Sequence, residues 1–358
     1  MEDDVFVGTC KNTDVYLNLN LNANRHMLLT GSTGTGKTNF LKNFLEQINA
    51  SMNFILDYSC SFENYGDAVF RNILETAEIQ DFFANLNEET IGTIADAIQG
   101  AWRLGTAQRA AVVKALCRMM KPVREEEIMH TEDDLFKKYL EFQDGIARRS
   151  WALFAFLLNT ECGAKGEQIA TRMIDIVYKL FTHSKDKAED TAPDCSNVII
   201  QFPIENSGLN SQLVELFLWK LWLRQIKERK PIFIVLDECQ DLLWKKGSIS
   251  ERLVSEGRKF GIGLILSTQF VTNNFPKRVI TNFMQSGVRV IFAPPESEVK
   301  EIAQSLDYTS WKNWQKCLRN LRVGSCVISG NLRFGQRTSK QKLMVDTPEY
   351  IRHHLERR

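Results

Sequence analysis

The chain has 358 residues, with 45 basic and 44 acidic side chains, a net charge of +1 and 44% hydrophobic residues. This length allows a large globular core, and the charge balance excludes the overall basic surface of proteins that coat DNA. Any contact with nucleic acid would have to come from a local basic patch. The eight cysteines include no Cys-x-x-Cys pair, so the sequence indicates neither a zinc cluster nor a redox pair.

The ends and apolar runs of the sequence give no sign of a membrane protein. Residues 1–4 are acidic and lack the basic-then-apolar plan of a signal peptide. The longest apolar runs, such as Trp151 to Leu158, fall well below the roughly 18 residues that cross a bilayer. Scattered cysteines are typical of reduced residues in an intracellular protein. We therefore expect a cytoplasmic protein without a membrane segment.

Six short apolar runs lack polar alternation and end in turn or polar residues, which is typical of strands buried on both faces. Helical segments lie between them, and this alternation predicts an α/β fold with a mostly parallel sheet covered by helices. The runs are His26 to Thr30, Asn53 to Leu56, Val198 to Phe202, Ile232 to Leu236, Leu264 to Ser267 and Val288 to Phe292.

The stretch from about Glu88 to His183 differs from the rest because it has repeated helical periodicity and almost no strand signal. We expect an all-helical insertion at residues 86–190 between two parts of one core, residues 1–85 and 191–358. Within the insertion, the pattern predicts a helix with one apolar stripe: Ala110, Val113, Leu116, Cys117 and Met120.

Two later segments have sequence patterns that predict a buried helix and a group of strands. Ser211 to Lys230 is apolar around most of a helical circumference, so we expect it to be buried on more than one side. Val323 to Val345 predicts short strands, with turns at Gly330 and Gly335.

The strongest motif is Gly31-Ser32-Thr33-Gly34-Thr35-Gly36-Lys37-Thr38, which matches the pattern G-x-x-x-x-G-K-[ST] in full. It follows an apolar strand and precedes a helical pattern, which is the context that a phosphate-binding loop (P-loop) requires. The glycines let backbone N–H groups converge on phosphate oxygens at a helix N-terminus. We expect these eight residues to bind ATP, with Lys37 on the β- and γ-phosphates and the Thr38 hydroxyl on Mg²⁺.

A second motif separates motors from other P-loop proteins. The apolar strand Ile232 to Leu236 ends in Asp237-Glu238. An Asp at this place holds Mg²⁺, and a Glu directly after it can polarise the attacking water as a general base. A kinase of small metabolites has less use for the second acid, because its substrate supplies the nucleophile.

Two further residues are candidates for catalysis. Gln269 follows the strand Leu264 to Ser267, where RecA-like ATPases place a polar residue that senses the γ-phosphate or the attacking water. Ser248-Ile249-Ser250-Glu251 is a capping box that predicts a helix ending near Arg258. We expect Arg258 to face a neighbouring subunit's nucleotide, and Arg25 is a second candidate for the same role.

Together, four stretches resemble the HerA/FtsK superfamily of ring ATPases, and HerA more than FtsK. The resemblance covers roughly residues 5–60 and 195–345, and the combination is more specific than any one part. The stretches are Arg25 to Gly31 leading into the P-loop, Val235-Leu236-Asp237-Glu238-Cys239-Gln240, Glu256 to Leu264 continuing to Gln269, and Phe275-Pro276-Lys277-Arg278-Val279-Ile280-Thr281-Asn282.

The resemblance implies a RecA-like hexameric ring that moves on double-stranded DNA, often with a nuclease or other effector partner. It also agrees with a helical insertion after the second strand, and Asp57 matches an acid common in the family. HerA proteins usually carry a small β-barrel ahead of the ATPase, whereas only about twenty residues precede the P-loop strand here.

In a RecA-like ring, the loops after the Asp-Glu strand and after the Gln269 strand face the centre. Here these loops are Trp244-Lys245-Lys246-Gly247 and Asn273 to Arg278. Lys245, Lys246, Lys277 and Arg278 are candidates for contacts with DNA phosphates, which carry no sequence information. Two other functions stay open: a nucleotide-gated scaffold that activates a partner effector, for example in antiviral defence, and a conjugation-type coupling ATPase, against which the lack of transmembrane helices argues.

Overall fold

The structure, a computed structural model, describes residues 4–19, 24–48, 52–58, 60–63, 65–66, 68–131, 134–183, 197–202, 207–272 and 275–348. The predicted domain boundary between residues 190 and 191 lies outside them. Within the described residues, no helix has the length and apolar character to cross a membrane.

The strands form one eleven-stranded sheet and one small hairpin. The sheet order is β13-β1-β2-β12-β11-β3-β10-β9-β4-β8-β5, and β6 pairs only with β7. In chain order the strands are β1 Asp4–Cys10, β2 Thr13–Asn18, β3 Met27–Thr30, β4 Met52–Asp57, β5 Ala68–Asn72, β6 Phe142–Gln143, β7 Ile146–Ala147, β8 Asn197–Gln201, β9 Ile232–Leu236, β10 Ile262–Thr268, β11 Val288–Ile291, β12 Ser325–Phe334 and β13 Arg337–Asp346.

The seven strands from β11 to β5 are mutually parallel. They include all six predicted strands, each within two residues of the expected bounds, so the predicted RecA-like α/β core is confirmed. Alternate residues of β9 enter two separate cores: Ile234 and Leu236 face one layer, and Phe233 and Val235 face the other. A strand covered on both faces needs apolar residues throughout, which is why these runs were visible in the sequence.

The other four strands of the large sheet were predicted less well. β1, β2, β12 and β13 pair antiparallel in a closed cycle, with β12 continuing onto β11. The stretch from Val323 to Val345 forms strands that turn at Gly335, as predicted. The short strand length and the turn at Gly330 were wrong, because β12 and β13 are ten residues each. Gly330 lies inside β12, where a Cβ would lie 3.4 Å from the Gly287 carbonyl oxygen and from Leu17.

Thirteen α-helices are present in the described residues. α1 packs on one face of the sheet, and α9 on the other. They are α1 Lys37–Gln47, α2 Ala77–Gln80, α3 Ile91–Trp102, α4 Thr106–Met119, α5 Glu125–Met129, α6 Trp151–Glu161, α7 Gly163–Thr171, α8 Ile174–His183, α9 Ser207–Glu228, α10 Ile249–Glu256, α11 Lys277–Met284, α12 Val299–Leu306 and α13 Trp311–Arg319.

The stretch expected to be an all-helical insertion carries α3 to α8, but it also contains the hairpin of β6 and β7. Asp144 and Gly145 both have positive φ, of 50° and 72°, and form the two-residue turn. Asp-Gly is a strong signal for such a turn, so the description "all-helical" was wrong for a reason that the sequence contained.

The predicted stripe on α4 was confirmed only in part: Leu116, Val113 and Met120 contact the core, and the other two members do not. The buried residues are Ala111, Val112, Ala115, Leu116 and Met119, whereas Ala110 and Cys117 are exposed. Several small residues repeat along this helix, so the packing against α3, α6 and α7 selects the face. By contrast, α9 is buried on two sides as expected: Phe217 contacts Phe54 of β4, and the opposite side packs against α3.

Candidate nucleotide site

The P-loop connects β3 to α1 through backbone conformations that need glycine. Gly31 and Gly36 have φ of 150° and 112°, and Gly36 is the N-cap of α1. A Cβ on Gly31 would lie 2.6 Å from the Cβ of Phe292, so only glycine lets the chain pass there. Around Gly34 a Cβ would have no neighbour within 4 Å, so this side of the loop is open. Thr33 and Gly34 are exposed, and Thr38 is partly exposed in the first turn of α1.

Lys37 lies folded back into the loop. Its Nζ donates to the carbonyl oxygens of Gly31 and Ser32, at 2.7 and 3.1 Å, and only 8% of the residue is exposed. Burial lowers the pKa of Lys37, while Glu238 and Asp237 act in the opposite direction. The cation is therefore held between the cradle of backbone groups and the two acids, where a triphosphate would need it.

Asp237 follows β9 directly and is buried. The Ser61 hydroxyl donates to Asp237 Oδ2 at 3.2 Å. Asp57, at the end of β4, holds this serine in place, because its carboxylate accepts from the backbone N–H groups of Ser61 and Phe62, both at 3.0 Å. Asp57 therefore has a structural role that the sequence left open: it shapes the turn that brings Ser61 to Asp237.

Glu238 links two strands through its carboxylate. Gln240 donates to Oε2 at 2.6 Å, and Gln269, which follows β10, donates to Oε1 at 3.0 Å. The Thr268 hydroxyl donates in turn to the side-chain oxygen of Gln240 at 2.8 Å. Glu238 itself has a φ of 47°, which is uncommon for a residue with a side chain, and this network holds it there.

The sheet register brings these groups to one edge. β10 lies between β3 and β9, with Thr268 opposite Thr30 and Leu266 opposite Leu236. The P-loop, Gln269 and the Asp237-Glu238 pair therefore all follow the carboxyl ends of neighbouring parallel strands, where ligands bind in open α/β sheets.

The donor set suits Mg²⁺. The Asp237 carboxylate, the Thr38 hydroxyl and the Ser61 hydroxyl offer hard oxygen ligands, and no three His, Cys, Asp or Glu side chains cluster as a metal cage anywhere in the described ranges. Mg²⁺ bound with a nucleotide takes one or two protein oxygens together with phosphate oxygens and water, so a full cage is not required.

The two arginine candidates do not lie at this edge. Arg258 is exposed in the 3₁₀ turn Gly257–Phe260 ahead of β10, and Arg25 precedes β3. Both therefore lie at the amino ends of strands whose carboxyl ends carry the site. Since β10 has seven residues, Arg258 is about 20 Å from the nucleotide edge of its own chain.

Among the candidates for DNA contact, Lys246 and Lys277 are exposed, and Lys245 is partly buried near the carboxylate of Glu215. Arg278 forms an ion pair with Glu251, with Nε 2.5 Å from Oε1. Residues 273 and 274 of the second predicted loop lie outside the described residues.

Trp244 does not flank these lysines as a base-stacking ring. It is buried against Phe275 and Phe283, and its indole N–H donates to the Cys239 carbonyl at 2.6 Å. The aromatic cluster on the next segment of chain, invisible from the local sequence, draws the ring inward.

Sequence reasoning missed three residues that the structure adds to the site: Ser61, Gln240 and Thr268. Gln240 and Thr268 lie within the stretches that carry the family resemblance, so their closeness in sequence to Glu238 and Gln269 could have indicated them. Ser61 had none, because it is 176 positions from Asp237 and no motif joins them.

The fold and this edge define a RecA-like P-loop ATPase. The family described as "Helicase HerA, central domain" matches residues 5–213, more than half of the chain, and the chain belongs to that family. Two helicases named "DNA double-strand break repair helicase HerA" are similar over nearly the whole chain. The one from Sulfurisphaera tokodaii is 20% identical over 92% of this chain and 68% of its own length; the one from Saccharolobus solfataricus is 23% identical over 90% and 65%. The chain thus spans about two thirds of these helicases.

Solved structures of two other proteins share the fold. VirB4 of Thermoanaerobacter pseudethanolicus has a TM-score of 0.64 at 14% identity and covers 98% of both chains. The bacterial conjugative coupling protein TrwB has a TM-score of 0.61 at 12% identity, over 96% of this chain and 89% of that one. TrwB has also been solved with ADP and Mg²⁺, with a TM-score of 0.59 at 12% identity over 91% of this chain and 87% of that one.

Proposed function

We propose that this chain is the ATP-hydrolysing subunit of a hexameric ring that moves on double-stranded DNA and works with a nuclease or other effector protein. One observation carries the proposal: Lys37, Asp237, Glu238 and Gln269 converge at the carboxyl edge of three adjacent parallel strands, β3, β10 and β9. This arrangement suits hydrolysis of a triphosphate by water.

In this mechanism Lys37 exchanges its two carbonyl partners for the β- and γ-phosphate oxygens of ATP. Glu238 accepts a proton from the attacking water, and Gln269 orients the carboxylate through the bond that it already makes. Thr38 and Asp237 would hold Mg²⁺, which neutralises charge developing on the phosphates. Asp57 and Ser61 keep the Asp237 carboxylate in position.

The ring assignment is supported by the position of Arg258. An exposed arginine about 20 Å from the site of its own chain is suited to a neighbour's nucleotide, where it would stabilise the charge of the transition state. The DNA assignment is supported by the names of the two HerA relatives and by Lys246 and Lys277 in segments that follow the carboxyl edge. Contacts from these lysines to phosphates would not depend on DNA sequence.

The test is the steady-state rate of ATP hydrolysis with and without long duplex DNA, with the mass of the particle measured in the presence of a non-hydrolysable ATP analogue. A motor should assemble into a hexamer and be stimulated by duplex DNA. Lys37→Ala should lower the rate of hydrolysis by a factor of about 10² or more, because it removes the positive charge that stabilises the transferred phosphate.

Exposed Lys340→Ala, on the far hairpin, is the matched control and should keep the wild-type rate. Assembly with the analogue but without stimulation by DNA would instead favour a nucleotide-gated scaffold. A chain that binds no nucleotide would refute both functions.

A further inference from the structure

Glu298 is a fully buried carboxylate outside every motif discussed above. It accepts three hydrogen bonds: Oε2 from the Val271 N–H at 2.7 Å, and Oε1 from the Thr272 N–H at 2.7 Å and the Thr272 hydroxyl at 2.8 Å. Among the described residues no basic side chain forms an ion pair with it. A buried carboxylate without a counter-ion is costly, so these three bonds have to offset its desolvation.

The bonds of Glu298 all go to the chain just after Gln269. On the other side of Gln269, the Thr268 hydroxyl oxygen lies 2.8 Å from both the Phe270 carbonyl oxygen and the Gln240 side-chain oxygen, and its single proton can be donated to either. Gln269 therefore lies in a stretch of five residues that is fixed at both ends. The amide of Gln269 has little freedom to leave Glu238 as long as both ends hold.

Glu298 is also joined to the P-loop by a short segment, residues 292–298, which we call the bridge. At its start, Phe292 N–H donates to the Thr30 carbonyl and the Ala293 carbonyl accepts from Ser32 N–H, both at 2.8 Å. Pro294 and Pro295 follow, and their fixed φ stiffens the path to Glu298. The bridge thus contacts the phosphate cradle at one end and the chain after Gln269 at the other.

We propose that Glu298 is a positioning residue, which holds the backbone after Gln269 so that this side chain stays on Glu238 and in fixed register with the P-loop. The inference rests on the proposed ATPase function and deepens it. Glu298 has no exposed surface and acts only through Gln269. A movement of the P-loop on phosphate binding would reach Gln269 through the bridge.

The test compares Glu298→Gln in the full chain with Glu296→Gln, an exposed residue of the same bridge that pairs with Arg319. The glutamine keeps the size of the side chain but places an NH₂ group against a backbone N–H. We expect kcat for ATP to fall about tenfold while KM changes less than about twofold, because substrate contacts are untouched. Glu296→Gln should change neither.

The double variant Gln269→Ala/Glu298→Gln decides whether Glu298 acts through Gln269. Its kcat should equal that of Gln269→Ala within about twofold, because residues that act as a unit are not additive. Two effects that multiply would overturn the inference and leave the proposed function standing. A wild-type chain without turnover would overturn both.

If Glu298→Gln fails to fold, Thr272 provides the same test on a partly exposed residue. Thr272→Val removes one of the three bonds, and Thr272→Ser keeps it. We expect the valine variant to lower kcat by about threefold relative to the serine variant, and to lose this difference in the Gln269→Ala background. Equal rates for the valine and serine variants would overturn the inference.

Discussion

The two edges of the parallel sheet carry different chemistry. At the carboxyl edge, Asp57, Asp237 and Glu238 are tied to neighbouring loops by hydrogen bonds, and the last two lie near Lys37. At the amino edge, the turn before β10 carries the exposed residues Arg258 and Lys259. Groups at the first edge are fixed by contacts within the chain, whereas Arg258 and Lys259 at the second are open to contact with another molecule.

His26 gives the amino edge its rigidity. It is buried, and its Nδ1 accepts from the Leu264 N–H at 3.1 Å, which joins the start of β3 to β10. Burial lowers the pKa of His26 to about 4, with a further contribution from Arg258, so the ring is neutral at pH 7. The amino edge is therefore a firm support for charged side chains that point outward, whereas the carboxyl edge uses its charges internally.

The largest effect is expected at the carboxyl edge. Glu238→Gln should keep ATP binding and lower the rate of hydrolysis by about 10² or more, because an amide cannot accept the proton of the attacking water. Burst kinetics and nucleotide affinity separate these two steps. Glu228→Gln, exposed at the end of α9 on the opposite edge, is the control and should match wild type. Hydrolysis near the wild-type rate in Glu238→Gln would remove this residue from catalysis.

The second-largest effect is expected at the amino edge, and its test mixes subunits that carry two different substitutions. Arg258→Ala and Lys37→Ala should each lose most of the turnover. In a 1:1 mixture, about a quarter of the subunit contacts pair an intact P-loop with an intact arginine, so about a quarter of the wild-type rate should return. Lys259→Ala in place of Arg258→Ala controls for loss of charge in the same turn. A mixture no more active than its components would contradict a role of Arg258 in trans.

This contrast between edges was only partly predictable from the sequence. The P-loop, Asp237 and Glu238 follow strands whose burial on both faces leaves an apolar run, so their common edge followed from local patterns. The bond from Gln269 to Glu238 agrees with its predicted place, although the role of each side chain stays a prediction. Ser61 joins Asp237 only through the turn shaped by Asp57, and long-range contacts of this kind leave no periodic signal.

Other features were hidden because packing outweighs local preference. The face of α4 is set by its neighbours, since alanines on several sides make the stripe ambiguous. β5 is an edge strand with a half-exposed Phe70 and Arg71 in the middle, so it lacks the apolar run of the central strands. The hairpin turn at Asp144-Gly145, in contrast, was available from the sequence.

The smallest effect is expected in the pH dependence of stability. It comes from a carboxylate that lies near the nucleotide edge but is not part of the site. Glu215 on α9 is buried, and Oε1 accepts from the Ile249 N–H at 3.0 Å, beside Gly100, where a Cβ would lie 2.8 Å away. Burial raises the pKa of Glu215 from 4.5 to about 7, against the smaller effects of its hydrogen bonds and of Lys245. The folded chain therefore holds a proton between these pH values that the unfolded chain has released.

Because the folded state binds more protons, the stabilisation from Glu215 is fully present below pH 4.5 and is lost as the pH rises through about 7. Glu215→Gln has no proton to lose. The free energy of unfolding of wild type minus that of the variant should therefore fall by up to about 3 kcal/mol between pH 5 and pH 8, measured in urea. Titration of His26 occurs in both proteins and cancels. Glu256→Gln, partly exposed on α10, should follow wild type, and parallel pH profiles for Glu215→Gln and wild type would contradict the buried proton.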